Sequence, residues 1–198
     1  MRFFGWNVYV ICSELPYRRG VDWIGDVFNR QIKRDWQDAS ITIETPHLNL
    51  VPKTPDELRA MIDGMSSEEK VQLAPDWLAL IQAATEPDPW LHGFTIRLRE
   101  ADVLVGNCGF KAPPNAEGVV EIAYGIDPDY QGKGYATEAA TGLVDYACSH
   151  AEVRRVCAHT LPEENASTRV LTKCGFRKTG EVMDRDDGLV WRWEKPKD

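Results

Sequence analysis

The run Gln131-Gly132-Lys133-Gly134-Tyr135-Ala136 sets two glycines one residue apart, where an apolar stretch gives way to a small-residue, helix-forming one. Glycine reaches backbone angles closed to other residues, so successive amide N–H groups in such a run can turn toward one point. A helix that starts immediately afterwards adds its unpaired first-turn amides and the positive end of its dipole. The result is a seat for an anion, above all a phosphate, built mainly from backbone; Lys133 adds a cation beside it. The run is not a P-loop, which needs GxxxxGK followed by Ser or Thr, and it lacks the GxGxxG of a dinucleotide fingerprint. A glycine-rich strand-to-helix turn without a ligand is the competing reading.

The elements that would hold this run can be read on either side of it. Val119 to Ile126 reads as a strand closed by Asp127-Pro128, and residues 135–149 as a helix with Ala136, Ala139, Ala140, Leu143, Val144 and Ala147 on one apolar face. Upstream, Leu48 to Val51 reads as a strand stopped by Pro52. Thr54-Pro55-Asp56-Glu57 has the cap, first-turn proline and capping-box spacing of a helix running to about Asp63-Gly64. One further helical segment is expected within 67–84, followed by a linker over Thr85 to Pro89. His92 to Leu98 and Val103 to Phe110 read as a hairpin, and Gly106 and Gly109 predict a bend or close packing there. Downstream, Val153 to Thr160 is a strand and Ala166 to Cys174 a helix, with Gly175 suited to the left-handed position past its end. Two last strands, Phe176 to Val182 and Leu189 to Trp193, flank a polar turn over 183–188. This order is mixed α/β (α+β mixed).

A chain of 198 residues suits one such domain. Residues 1–44 form an aromatic-rich N-terminal extension, with Trp6, Trp23 and Trp36 among its rings, expected to dock on the body or to face a partner; a homodimer is one form of that. Residues 45–198 are expected to form the working domain. The formal charge of -8 argues against general binding of nucleic acid or an anionic membrane, and an acidic body would favour a basic amine or peptide. Five cysteines without CxxC spacing read as buried thiols, and four histidines without HxH or HExxH spacing predict no metal site. The opening MRFFGWNVYVIC has the basic and apolar parts of a signal peptide, but Asn7 interrupts it and no cleavage site follows. No stretch reaches transmembrane length, so a cytoplasmic location is the expectation.

From about 45 to 194 the sequence resembles the GNAT superfamily of acyl-CoA-dependent N-acetyltransferases, nearest its ribosomal-protein N-terminal acetyltransferase-like branch. Glu121-Ile122-Ala123-Tyr124-Gly125-Ile126-Asp127-Pro128, followed by Gln131 to Ala139, is similar to its central strand and pyrophosphate loop. Asn165 to Phe176 resembles its late helix and GF turn, and Gly188 to Trp193 its final strand. The resemblance implies a splayed, mostly antiparallel central sheet flanked by helices. It implies acetyl-CoA as donor, with the diphosphate on Gln131, Gly132, Lys133, Gly134, Tyr135 and Ala136. The pantetheine arm would run beside Ala123, Gly125 and Ile126, with Asn165 and Ser167 as further contacts. A small-molecule amine or a protein N-terminus would be the acceptor.

Transfer of this kind must deprotonate an ammonium, stabilise an oxyanion and protonate a thiolate. Glu121 is the first candidate for the base, with cation binding or a structural role as alternatives. Leu171 stands where several relatives carry an acid-donating Tyr, so the resemblance leaves Tyr124, Tyr135 or solvent to supply that proton. A second departure sets Glu164 where relatives carry Asn, with Asn165 next to it. By the same resemblance residues 53–92 wall the acceptor groove, with Asp56, Asp76, Asp88 and Trp90 as lining groups. Cys108 and Cys174 lack an evident activating base and read as packing residues. An acyl-CoA-binding sensor on a retired catalytic scaffold is the rival reading, drawn from Leu171.

Overall fold

A computed structural model describes residues 41–71, 73, 75–184 and 188–197, with the side chains of Glu69 and Asp76 outside the description. Most of the aromatic-rich extension and the centre of the polar turn, 185–187, therefore lie outside the described residues.

Local chemistry sets the first helices. The helix α1 (Pro55–Asp63) starts on a closed capping box: Thr54 Oγ1 accepts the Glu57 amide at 3.2 Å, and the Glu57 carboxylate accepts the Thr54 amide at 2.7 Å. Such a cap contributes about 1 kcal/mol. The single segment expected within 67–84 is instead two helices, α2 (Ser67–Val71) and α3 (Pro75–Ala83). Pro75 has no N–H to continue the first, and its fixed φ suits the opening turn of the second. The expected linker also ends early. Asp88 caps a short helix α4 (Pro89–His92), its carboxylate accepting the Trp90 amide at 2.9 Å.

Eight strands form one sheet: β1 (Ile43–Glu44), β2 (Leu48–Pro52), β3 (Phe94–Leu98), β4 (Leu104–Phe110), β5 (Val119–Ile126), β6 (Arg155–Thr160), β7 (Arg177–Asp184) and β8 (Gly188–Pro196). Their order is β1-β2-β3-β4-β5-β6-β8-β7. Pro52 is the last residue of β2, opposite Phe94, rather than a stop before it. The expected close packing at Gly106 is present, since a Cβ there would run into the Gly125 carbonyl of the next strand.

Helix α5 (Tyr135–Ser149) lies across β5 and β2. Its Ala139, Ala140, Leu143, Val144 and Ala147 join Leu50, Val120, Ile122, Tyr124 and Ile126 in the core. The small side chains let the helix sit close to the strands. Helix α6 (Ala166–Lys173) follows β6, and Gly175 just beyond it has φ +83. Trp90 tilts on Phe110 at 4.5 Å between ring centroids and meets His150 edge-on at 5.1 Å, closing the core at that end.

All strand pairs are antiparallel except β5 with β6. That parallel contact covers only Val119 with Arg155, Val120 with Val156 and Glu121 with Cys157. Beyond it the two strands part, so the sheet is splayed at its centre as well as mostly antiparallel.

Candidate functional site

Among the described residues, the opening between β5 and β6 is where two central strands run on side by side without pairing. Strand alternation decides which backbone groups face it. Lys111 donates to the Glu121 carbonyl and Asp127 to the Val105 carbonyl, both at the β4 side. Ala123 and Gly125, opposite Gly109 and Asn107, therefore turn their N–H and C=O toward β4. Tyr124 and Ile126 have the other parity and face the opening. The backbone groups of Ala123 and Gly125 are thus used within the sheet, and those of Tyr124 are the ones turned to the opening. Gln131 Nε2 donates to the Ile126 carbonyl at 2.8 Å, which fixes the end of β5 to the glycine loop.

The loop follows a single 3-10 turn at Pro128–Tyr130. Gly132 and Gly134 have φ of +76 and +89, and nothing lies within 4 Å of where a Cβ would stand on either. The space over both is open, and no described carbonyl accepts the amides of Gly132 or Lys133. Gly134 caps α5, so the helix's first-turn amides open at the same place. The Lys133 ammonium lies 5.1 Å from the centre of the Tyr130 ring and donates to the Asp129 carbonyl at 3.3 Å. One turn into α5, Glu138 accepts from Thr45 Oγ1 at 2.6 Å and from the His47 amide at 2.7 Å. This ties the β1–β2 turn to the base of the loop.

Glu121 sits at the last paired position before the strands part. Its Oε1 contacts the Lys111 ammonium and lies 2.9 Å from His159 Nδ1, and all three side chains are buried or nearly so. A carboxylate only accepts, so Nδ1 carries the hydrogen, and in the neutral ring the lone pair falls on Nε2. Among the described residues Nε2 is buried and has no hydrogen-bond partner. A polar atom left so costs about 1–3 kcal/mol. Sequence reasoning did not select His159; the available signal was a histidine beside Thr160 in an otherwise apolar strand.

The remaining expected residues divide by surroundings. Tyr124 is 1% exposed, on the α5 side of β5, and its hydroxyl reaches the Ser167 carbonyl at 3.5 Å. Burial pushes its phenol far above the usual range, with Cys174 adding to the shift. Asn165 caps α6, Oδ1 accepting the Thr168 amide at 3.0 Å, while its Nδ2 is buried with no partner. Glu164 accepts from Thr168 Oγ1 at 3.1 Å and so belongs to the same cap. Ser167 and Leu171 are buried within α6. Burial pushes the Cys108 thiol up to about 12, with the charge of Lys53 opposing, and raises Cys174 as well. Neither is a nucleophile near neutral pH.

Two groove assignments are corrected. Asp88 is a buried helix cap and Trp90 a core ring, so neither lines a groove; α4 turns both inward. Asp56 is exposed and pairs with Arg59 at 2.8 Å. The side chain of Asp76 lies outside the described residues. A recess lined by Asn115, Gly118, Glu152 and Arg154 lies at the far end of β5, away from every group above.

Residues 25–177 match the family described as Acetyltransferase (GNAT) domain, and the chain belongs to that family. It is therefore an acyl-CoA-dependent acetyltransferase that moves an acetyl group from acetyl-CoA to an amine. The chain is 29% identical over 149 residues to N-acetyltransferase p20 of Bacillus licheniformis, a match over 75% of this chain and 73% of that one. The fold is similar to that of RimL, a ribosomal-protein alpha-N-acetyltransferase solved with coenzyme A: TM-score 0.58, 16% identity, covering 79% of this chain and 98% of that one. It is similar also to the microcin self-immunity acetyltransferase MccE, solved with acetyl-CoA and AMP: TM-score 0.56, 16% identity, covering 81% and 97%. Among the described residues no helix is long and apolar enough to cross a membrane.

Proposed function

We propose that the chain acetylates a primary amine, either a protein N-terminus or a small-molecule amine, that enters where β5 and β6 part. The observation that carries this reading is the convergence on one opening of unpaired β5 backbone, the open glycine loop and the buried Glu121–His159 pair. Acetyl-CoA, when bound, supplies an acetyl group already activated as a thioester.

The residues present suit that donor. The open amides of Gly132 and Lys133, with those of Gly134, Tyr135 and Ala136 at the start of α5 and the α5 dipole, match a diphosphate, while the Gln131 amide is held by the Pro128 carbonyl at 3.3 Å and its side chain braces the loop. The Tyr124 N–H and C=O can pair with an extended amide-bearing arm as a missing strand would, beside Ala123, Gly125 and Ile126. The orphaned Asn165 Nδ2 is a donor waiting for an acceptor, and buried orphans of this kind call for one. The Tyr124 amide is also aimed where a thioester carbonyl would gain negative charge. In this reading the Tyr124 ring anchors α6 to β5, Ser167 contributes its carbonyl to that anchor, and solvent protonates the departing thiolate. That last step is easy for a thiol, whose pKa is about 8.5 in a simple case.

The test is release of free coenzyme A by the full chain given acetyl-CoA and a panel of acceptors: N-terminal peptides of ribosomal proteins, polyamines, aminoglycosides and amino acids. Time-dependent thiol release with at least one class, with the acetylated product seen by mass, is the expected outcome. Donor binding without release to any class would favour a sensor on the same scaffold.

A further inference from the structure

Among the titratable groups around the opening, His159 is the one with a polar atom left over. It lies on β6 two residues past Cys157, the last position paired with β5, so extending the register sets it level with Ala123 in the unpaired region. The ring reaches back across the opening to Glu121 at 2.9 Å. The carboxylate is in turn held by Lys111 just past β4, and on β8 Arg192 stands opposite His159, with its guanidinium engaged by Glu194 at 2.8 Å. Every charged neighbour therefore has a partner of opposite sign. The imidazole has one bond, at Nδ1, and a buried nitrogen with none.

We infer that His159 Nε2 is the proton acceptor for the incoming amine and that Glu121 is a positioning residue acting through it. This rests on the acetyltransfer reading above and revises which of the two groups takes the proton. Glu121 is poorly arranged for that task, because its Oε1 already receives both Lys111 and the His159 N–H. It is well arranged to hold the ring in one tautomer and to stabilise the imidazolium once formed. Lys111 fixes the carboxylate in turn, so a chain of three side chains, from the end of β4 onward through β5 to β6, orients one lone pair.

The protons balance in this assignment. An acceptor ammonium loses one proton to Nε2, and its nitrogen lone pair forms the C–N bond to the acetyl carbonyl carbon. The C–S bond then breaks with its electron pair leaving on sulfur. The nitrogen gives up a second N–H proton to solvent and solvent protonates that sulfur, giving the amide and the free thiol. The imidazolium returns the first proton to solvent, so one proton is released per amide formed.

The test compares wild type, His159→Gln and Glu121→Gln in kcat/KM for coenzyme A release across pH, with donor binding followed by calorimetry as the check on folding. H159Q should keep donor binding and lose about 100-fold or more at neutral pH, the range a general base supplies. The loss should shrink as pH rises toward the pKa of the amine itself, where no base is needed. E121Q should lose less, about 10-fold, because the Gln carbonyl still accepts Nδ1–H but cannot balance an imidazolium. A merely structural His159 would produce a loss independent of pH. Nitrogen NMR of wild type reads the tautomer without turnover, and the Nδ1–H form is expected; a neutral ring protonated at Nε2 overturns the assignment even if H159Q fails to fold. Turnover kept by H159Q within about threefold overturns it while leaving acetyltransfer standing. Wild-type turnover on no amine at all overturns both.

Discussion

His92 and His159 are both buried, but they differ in what their ring nitrogens meet. His92 Nδ1 accepts the Asp88 amide at 2.9 Å inside α4. Burial lowers its pKa to about 4, opposed by a backbone hydrogen bond at Lys53 and assisted by the charge of Arg59. The unfolded chain takes up a proton near 6.5, while the folded one refuses it until about 4. Between those values the unfolded state binds more protons, so stability falls as pH is lowered across that window and is constant above it on this account. The difference in melting temperature between pH 7.5 and 4.5 should narrow in His92→Asn, which keeps an acceptor for Asp88 but does not titrate; an unchanged difference would discard the idea. At this scale the sequence was partly legible. Glu121 was legible as a candidate because it lies in the strand that resembles the family's central strand, just before the phosphate loop, though cation binding or a structural role fitted it too. Its partners were not, since Lys111 and His159 come from separate strands and His159 is 38 positions away. Residue type and local period say that a side chain will be inside, not what it will touch there.

The glycine loop and the two helices around it belong to the scale of elements. Gly132 and Gly134 need positive φ but have open space above them, so alanine there meets strain and no clash. Each Gly→Ala change should cost about 1–2 kcal/mol of stability, read by urea unfolding, and weaken acetyl-CoA binding at least tenfold by re-aiming amides. Loss of stability with donor affinity intact would separate the loop from the diphosphate. In α6, Leu171 is fully buried, so Leu171→Tyr forces a larger ring and a hydroxyl into a filled space. That change should destabilise by about 1–3 kcal/mol and leave kcat no higher, because the position offers a core site and no proton path. A rise in kcat would show that the missing tyrosine limits the reaction. Strand β5 and helix α5 fall where their patterns put them, since both have long apolar periods and clear stops. The break between α2 and α3 was missed because the apolar spacing runs through Pro75, while the backbone cannot. The parity of β5 was also out of reach, for it depends on which neighbour pairs first, and that is a fact of the sheet.

For the molecule as a whole, the sheet is two antiparallel halves, β1 to β5 and β6 with β8 and β7, joined by three residue pairs and by the helices across them. A donor that bridges the halves binds the folded chain alone, so it stabilises by mass action. At 100 times its Kd, acetyl-CoA should add about 2.7 kcal/mol, visible as a higher melting temperature, while the same concentration of adenosine should not. No shift at saturating donor would place the binding site elsewhere.

The parting of β5 from β6 has a cost outside catalysis. Sheets normally hide their raw edges at the rim, with charges, bulges or covering loops. Here two edges are left bare in the middle, with the backbone of Tyr124 on one side and that of β6 on the other, the Ile126 carbonyl being taken by Gln131. An extended segment from a neighbouring molecule or a nascent chain could zip into the same slot that a pantetheine arm would fill. The donor would then be a preservative as well as a reagent: purified protein stripped of coenzyme A should cloud sooner on storage than protein kept with it, by light scattering at equal concentration.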